Sequence, residues 1–358
     1  QRQMCIRDSC ITFGLFQFLS IYTYVGNAGM RKELRQMHMA VTDEETASPE
    51  YESAYADYKK TYGGMYDTLD MRKILEQKEK KSGYEPQGVW GSWIVRNYDR
   101  LQKRVEQIRK TGEGTYAFYP GSWYKLHTTL YGKLWKKLIL QTAVLMILSM
   151  LYLMDYERIY KTQDLVLTTT TGKKMMEKKM LAGALCGLFY AGLLTVFTLL
   201  VFFAAVPFQN LWHVPVAACM VAEPRLQMMY PFVTFWRLEQ WRYFLLALVV
   251  LVGLLGIIAV VTAAVQLFLQ NSYFSFAVLG LLFMGAYLLA YVQMGNVWDL
   301  IRELFNPTVL YATSGGWFME NDLCLSFAGN EFAVLFCSGT AAVCLMAVGK
   351  RRYHRLEV

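Results

Sequence analysis

The chain has 358 residues, of which 55% are hydrophobic, 15% aromatic and only 18% charged, with a net charge of +8. Soluble domains carry roughly 25% charged residues, so this balance excludes an ordinary water-soluble globule. The basic residues crowd beside apolar runs instead of forming a patch interleaved with stacking aromatics, which excludes nucleic acid as the partner.

In chain order, the segment Gln1–Ser9 reads as translated adapter text, so residues 1–10 are set aside as an artefact. Residues 11–26 read as the remnant of a first span whose beginning is missing. Residues 27–137 read as a helical extracytoplasmic domain. Within it, Tyr51, Tyr55, Tyr58 and Tyr62 repeat at helical spacing, residues 65–81 read as a second helix, and Ile94, Tyr98, Leu101, Val105 and Ile108 form the stripe of a third. That third helix is expected to stop at Gly112 and Gly114. These stripes read first as ordinary core.

The second span is expected at 138–154. Four further apolar runs follow, at 180–206, 244–269, 273–292 and 332–348, with no Asp, Glu, Lys, Arg or His inside any of them. A hydrocarbon layer about 30 Å thick needs roughly 20 residues at 1.5 Å each. The run 244–269 holds 18 Leu, Ile, Val or Phe residues; at about −0.3 to −0.6 kcal/mol each, its insertion gains roughly 5–11 kcal/mol. The fold class expected is therefore an all-α membrane protein: six transmembrane helices, the first truncated, with a helical extracytoplasmic domain between the first and second. Residues 180–349 make the four-helix transmembrane region and 350–358 a basic tail.

Charge sets the orientation. Segment 155–179 carries Arg158, Lys161, Lys173, Lys174, Lys178 and Lys179, and the tail carries Lys350, Arg351, Arg352 and Arg355. Lys and Arg stay on the cytoplasmic side, so both segments are expected there, in a bacterial plasma (inner) membrane. Lys125, Lys133, Lys136 and Lys137 then fall just outside the second span, in a long domain that largely escapes this rule. The segments 207–243 and 293–331 become outer loops. Their Trp212, Tyr230, Trp236, Trp241, Tyr243, Trp298 and Trp317 suit interfacial anchoring. Gly183, Gly187 and Ala191 share one face of the third span, the small-xxx-small spacing that lets helices pack closely.

Chemistry is sparse. The four His residues are far apart in sequence and have no metal-ligand spacing, and the seven Cys form no CxxC pair. Cys219 and Cys324 lie in two loops on one side, open either to a disulfide or to two free thiols. No GxxxxGK[ST] phosphate loop is present. The chain therefore reads as a non-enzyme without a cofactor or metal of its own, and any ATP belongs to a partner.

The informative polar segment is 155–179: a short helix, a Thr-rich turn over 168–171, then a second short helix running into the next span. As a clamped, charged elbow it suits the reception of a push from a soluble partner; as a positive-inside anchor it only fixes topology. Glu157, Thr162, Val166-Leu167, Thr168-Thr169, Lys173 and Lys179 give it a pattern that resembles the cytoplasmic connection between the second and third spans of type-2 ABC transporter permeases. Lys161 and Thr170 depart from that family's Gly and Pro. The resemblance implies an ABC exporter permease that pairs with a second permease copy or paralogue and with ABC ATPase subunits that bind the ATP. It further implies docking of the ATPase on Glu157, Arg158, Thr162, Asp164, Lys173 and Lys179, and an amphipathic or hydrophobic substrate. The alternative is a receptor-like or sensory membrane protein whose outer domain binds a ligand or envelope component without ATP coupling.

Overall fold

A computed structural model describes residues 2–27, 31, 53, 56–57, 60, 64–82, 88–115, 122–160, 172–206, 208, 211–219, 233–292, 297–320 and 327–356. Side chains at 2–5, 78, 81–82, 89–90, 115, 122–124, 172–174 and 354–356 fall outside that description. Among the described residues the chain is helical, with no strand beyond the isolated bridges Pro215–Glu239 and Thr234–Met319. Six helices among the described residues are long and apolar enough to cross a membrane: Ile6–Gly26, Lys125–Met154, Met175–Ala205, Gln240–Leu269, Ser272–Ala290 and Asn330–Tyr353.

The first helix, α1 (Arg2–Gly26), runs without a break from residue 2, its apolar stretch begins at Ile6, and Ile6 is buried in the main core. Gln17 donates to Gln141 at 2.8 Å, so the first span is tied to the second by a polar contact inside apolar surroundings. All four tyrosines of the Tyr51–Tyr62 stripe lie outside the described residues. The second domain helix, α2 (Met71–Ser82), starts six residues later than expected, because 64–68 form a turn. It packs on α3 (Gly88–Thr111), which buries Ile94, Leu101, Val105 and Ile108. Gly112 ends α3 at φ +67°, a left-handed conformation that glycine adopts without penalty.

The second span is longer than expected. A helix α4 (Ser122–His127), a π-helical stretch Thr128–Leu134 and α5 (Trp135–Met154) form one continuous rod, since both junction residues keep α-helical dihedrals. Lys133, Lys136 and Lys137 therefore lie on the span itself. Their ammonium groups find partners: Lys137 donates to Ser20 at 2.9 Å, Lys136 to the Ala312 carbonyl at 3.3 Å, and Lys133 lies over the Tyr24 ring.

A one-turn helix α6 (Tyr156–Ile159) follows, and then α7 (Gly172–Ala205), a single 34-residue helix, so residues 172–179 are its first two turns. Next come the one-turn α8 (Val216–Cys219), α9 (Gln240–Leu269) and α10 (Ser272–Ala290). The turn between α9 and α10 has a local cause: Gln270 takes the left-handed conformation, and the Asn271 side chain caps α10 by accepting from the Tyr273 and Phe274 amides. The rod ending in α5 is the centre of the bundle, touching α1, α7, α9 and α10, while α9 also packs along the last helix, α13 (Asn330–Leu356).

The expected outer loop 293–331 is not a plain loop. Its described part holds α11 (Val297–Leu304) and α12 (Thr308–Ala312). Asn306 donates to the Ala286 carbonyl, four residues inside the end of α10, and Ser338, eight residues into α13, donates to the Leu304 carbonyl. At 1.5 Å per residue the hairpin thus sits about 6–12 Å inside the ends of its neighbours. Tyr243 and Trp317 are buried with it, so they are core residues and not interfacial anchors. The indole of Trp317 donates to the Leu310 carbonyl at 2.9 Å.

Candidate functional site

At the end of the bundle opposite the α2–α3 pair, the elbow is held by three polar contacts. Asp155 leaves the helical region at the end of α5 and accepts a 2.7 Å hydrogen bond from Ser272, the first residue of α10. Glu157, on α6, forms an ion pair with Lys179 on α7, and both side chains are mostly enclosed. Glu177, half a turn before Lys179, pairs with Lys350 on α13 at 2.9 Å. An exposed pair of this last kind contributes roughly 0.2–1 kcal/mol; the enclosed Glu157–Lys179 pair is more demanding, because removing one partner strands the other. Together they join α5, α7, α10 and α13 at one end. The same end of α13 also reaches α9 through Arg352, whose guanidinium lies 5.6 Å from the ring centroid of Phe268.

Of the residues named from sequence, Glu157 and Lys179 are thus brought together, and Arg158 is exposed beside them. Lys173 is on the first turn of α7, but its side chain is outside the description, as are Thr162 and Asp164 altogether. An aromatic row, Tyr152, Tyr156 and Tyr160, runs along the same elbow with ring centroids 6.0 and 4.6 Å apart, and Tyr156 and Tyr160 are exposed. Gly183 and Gly187 face α5, and Ala191, one turn further along, is buried in the main core. A Cβ at Gly187 would lie 2.5 Å from the Met146 sulfur and 3.1 Å from Met146 Cα, and one at Gly183 would lie 3.2 Å from Met150 Cα. Glycine here is what allows α5 and α7 to approach.

Charges that the sequence reading did not single out are buried at the other end. Arg104 on α3 and Glu113 form a bidentate pair at 2.5 and 3.3 Å, and Arg104 also donates to the Thr234 and Trp236 carbonyls. This clamps the α2–α3 pair to the chain leading into α9. Tyr66 adds a 2.8 Å bond to the Ala217 carbonyl. On α11, Asp299, Arg302 and Glu303 face inward as ion pairs at 3.6 and 3.4 Å, while Val297, Trp298, Ile301 and Phe305 are exposed. The i, i+3, i+4 spacing of those charges was legible; a short helix with its charged face inward and apolar face outward is the opposite of a soluble one. Cys219 is a buried free thiol that accepts from Gln240 at 3.0 Å, and burial raises its pKa to about 12; Cys324 is outside the described residues. Beside it, the indole N–H of Trp241 holds the Glu239 carboxyl below its ordinary range.

Comparison with protein-family models, curated proteins and solved structures gives no match to this chain.

Proposed function

We propose that the chain is the permease subunit of an ATP-driven ABC exporter, working with a second permease copy or paralogue and with separate ATPase subunits that bind and hydrolyse ATP. The α2–α3 domain is then extracytoplasmic, the elbow and the end of α13 cytoplasmic, and the bundle forms half of a pathway for an amphipathic or hydrophobic substrate. The observation that carries this reading is the elbow: α6 follows α5 directly and is held to α7 by Glu157–Lys179, while Asp155 ties the end of α5 to α10 and Glu177–Lys350 ties α7 to α13. A force applied to α6 is delivered to α5, α7, α10 and α13 together, which is what a rigid coupling element requires. Its exposed Tyr156, Arg158 and Tyr160 offer a partner an aromatic and basic surface.

The test is co-purification of the full chain with the cassette ATPase encoded beside it, followed by ATPase stimulation in nanodiscs. Glu157→Lys and Lys179→Glu are each expected to abolish stimulation, and the double exchange, which restores an ion pair of reversed polarity, to recover part of it. Equal stimulation in all four proteins contradicts the coupling role. A folded, inserted chain that retains no ATPase fits the receptor-like reading instead.

A further inference from the structure

At the end of the bundle that carries the α2–α3 pair, one face of the second span concentrates an unusual set of groups. His127, Tyr131 and Trp135 follow one another at four-residue intervals across the π-helical stretch, a helix type that recurs at functional sites. Each is almost completely buried: His127 is 3% exposed, Trp135 1% and Tyr131 0%. The His127, Tyr131 and Tyr243 rings form a triangle with centroids 4.7, 5.0 and 4.7 Å apart. Segment 314–318 closes over them. The His127 ring lies toward the Gly315 backbone and the Tyr243 hydroxyl toward that of Trp317, neither at hydrogen-bond geometry. Glu331, in the first turn of α13, gives one oxygen to the Phe318 amide at 2.5 Å. Phe318 is held there at φ +62°, and its ring lies 5.8 Å from that of Tyr243.

Among the described residues, both His127 nitrogens, the Tyr131 and Tyr243 hydroxyls, Trp135 Nε1, Ser314 Oγ and the second Glu331 oxygen have no hydrogen-bonding partner. Isolated groups of this kind are scarce in folded proteins, because each forfeits its solvation for nothing. Seven such atoms, on the triangle, on the adjoining Trp135 and on the segments packed against them, point to an occupant. The set mixes obligate donors (the indole N–H), obligate acceptors (the carboxylate oxygen, one imidazole nitrogen) and hydroxyls that do either. An anion would satisfy the donors but face Glu331; a cation would face the indole N–H. A neutral group that donates and accepts at once satisfies all of them.

We infer that this cluster is a binding site for hydroxyl groups, supplied either by bound water or by the neutral head group of an amphiphile, enclosed between the π-helical stretch, α9, α13 and segment 314–318. The inference stands apart from the transport reading, since its test needs no ATPase.

The experiment is hydroxyl-radical footprinting by X-ray radiolysis on the full chain in lipid nanodiscs, in which oxygen bound against a buried side chain labels it despite burial. Tyr131 and Tyr243 are expected to be modified at rates near that of the exposed Trp236, and far above that of Phe202, which is equally buried among apolar side chains. Adding n-octyl β-D-glucoside below its micellar concentration separates the sources. Saturable protection of both tyrosines assigns the site to a head group, and unchanged modification assigns it to water. Modification of both tyrosines at the Phe202 level in either condition overturns the inference. Tyr131→Phe gives an independent readout: it removes a hydroxyl that has no protein partner, so thermal stability is expected to hold while modification of Tyr243 falls. Lost stability with unchanged Tyr243 modification contradicts it.

Discussion

Replacing Arg104 by Met tests the clamp between the α2–α3 pair and the membrane bundle. The wild-type guanidinium and the Glu113 carboxylate are 7% and 2% exposed, and Arg104 makes four hydrogen bonds, two to Glu113 and two to backbone carbonyls. Met fills much of the same volume, so the change is chiefly electrostatic. It strands a buried carboxylate, whose loss of a partner typically costs about 3–5 kcal/mol. Two residues soften this: Thr111 still donates to Glu113 at 3.0 Å, and the exposed Arg237 approaches it to 3.6 Å. We therefore expect about 3 kcal/mol, the lower end. Hydrogen exchange of the α3 amides reads this directly. If those amides exchange through undocking of the α2–α3 pair, 3 kcal/mol corresponds to roughly a hundredfold faster exchange. The double variant Arg104→Met, Glu113→Leu replaces the pair by apolar groups and is expected to return to within about 1 kcal/mol of wild type. A single variant that exchanges like wild type, or a double variant as labile as the single, refutes the reasoning.

Gly187→Val places a side chain against Met146 and is expected to lower stability by about 1–3 kcal/mol in an unfolding titration. Gly192→Ala, on the same helix but facing open space, is expected to be neutral or stabilising by up to about 1 kcal/mol. Glu331→Leu leaves the buried Phe318 amide without an acceptor and is expected to cost about 1–3 kcal/mol, whereas Glu331→Gln keeps an acceptor oxygen and costs less; thermal melts of the two variants check this. The Cys219 thiol is expected to resist maleimide at pH 8 in the folded chain and to react on unfolding. Its pH dependence has a definite sign. The unfolded thiol ionises near pH 9 and the folded one near 12, so the unfolded state sheds a proton first and stability falls as pH rises through that window. Cys219→Ala is expected to remove that part of the alkaline loss.

The spans were legible because hydrocarbon imposes one dominant rule, a long apolar run, and the runs after residue 180 obey it. Their ends were less legible. The second span begins at Lys125 and not near 138, because lysines with long apolar stems and aromatic partners are tolerated on a span while a charge-free criterion rejects them. Likewise Glu331 belongs to the last span's first turn, where it serves the Phe318 amide. The α11–α12 hairpin was hidden for a different reason. Its helices are eight and five residues long, and what seats it is a set of side chain to backbone contacts from Asn306 and Ser338, which no periodicity reports. For the elbow, the charged residue types marked the segment, but the Glu157–Lys179 pairing joins residues 22 apart across a turn and needed the fold. The hydroxyl site draws on residues from 127 to 331, each ordinary where it stands in the sequence.

The most direct test of the account is the sidedness of two surfaces. Single cysteines at Arg158 and Arg351, on the elbow end, and at Lys103, on the exposed face of α3, are probed with an impermeant maleimide in sealed, oriented vesicles. The six-span architecture with a coupling elbow requires Arg158→Cys and Arg351→Cys to label from the cytoplasmic face and Lys103→Cys only from the opposite one. Labelling of Lys103→Cys from the same face as either of the others contradicts it.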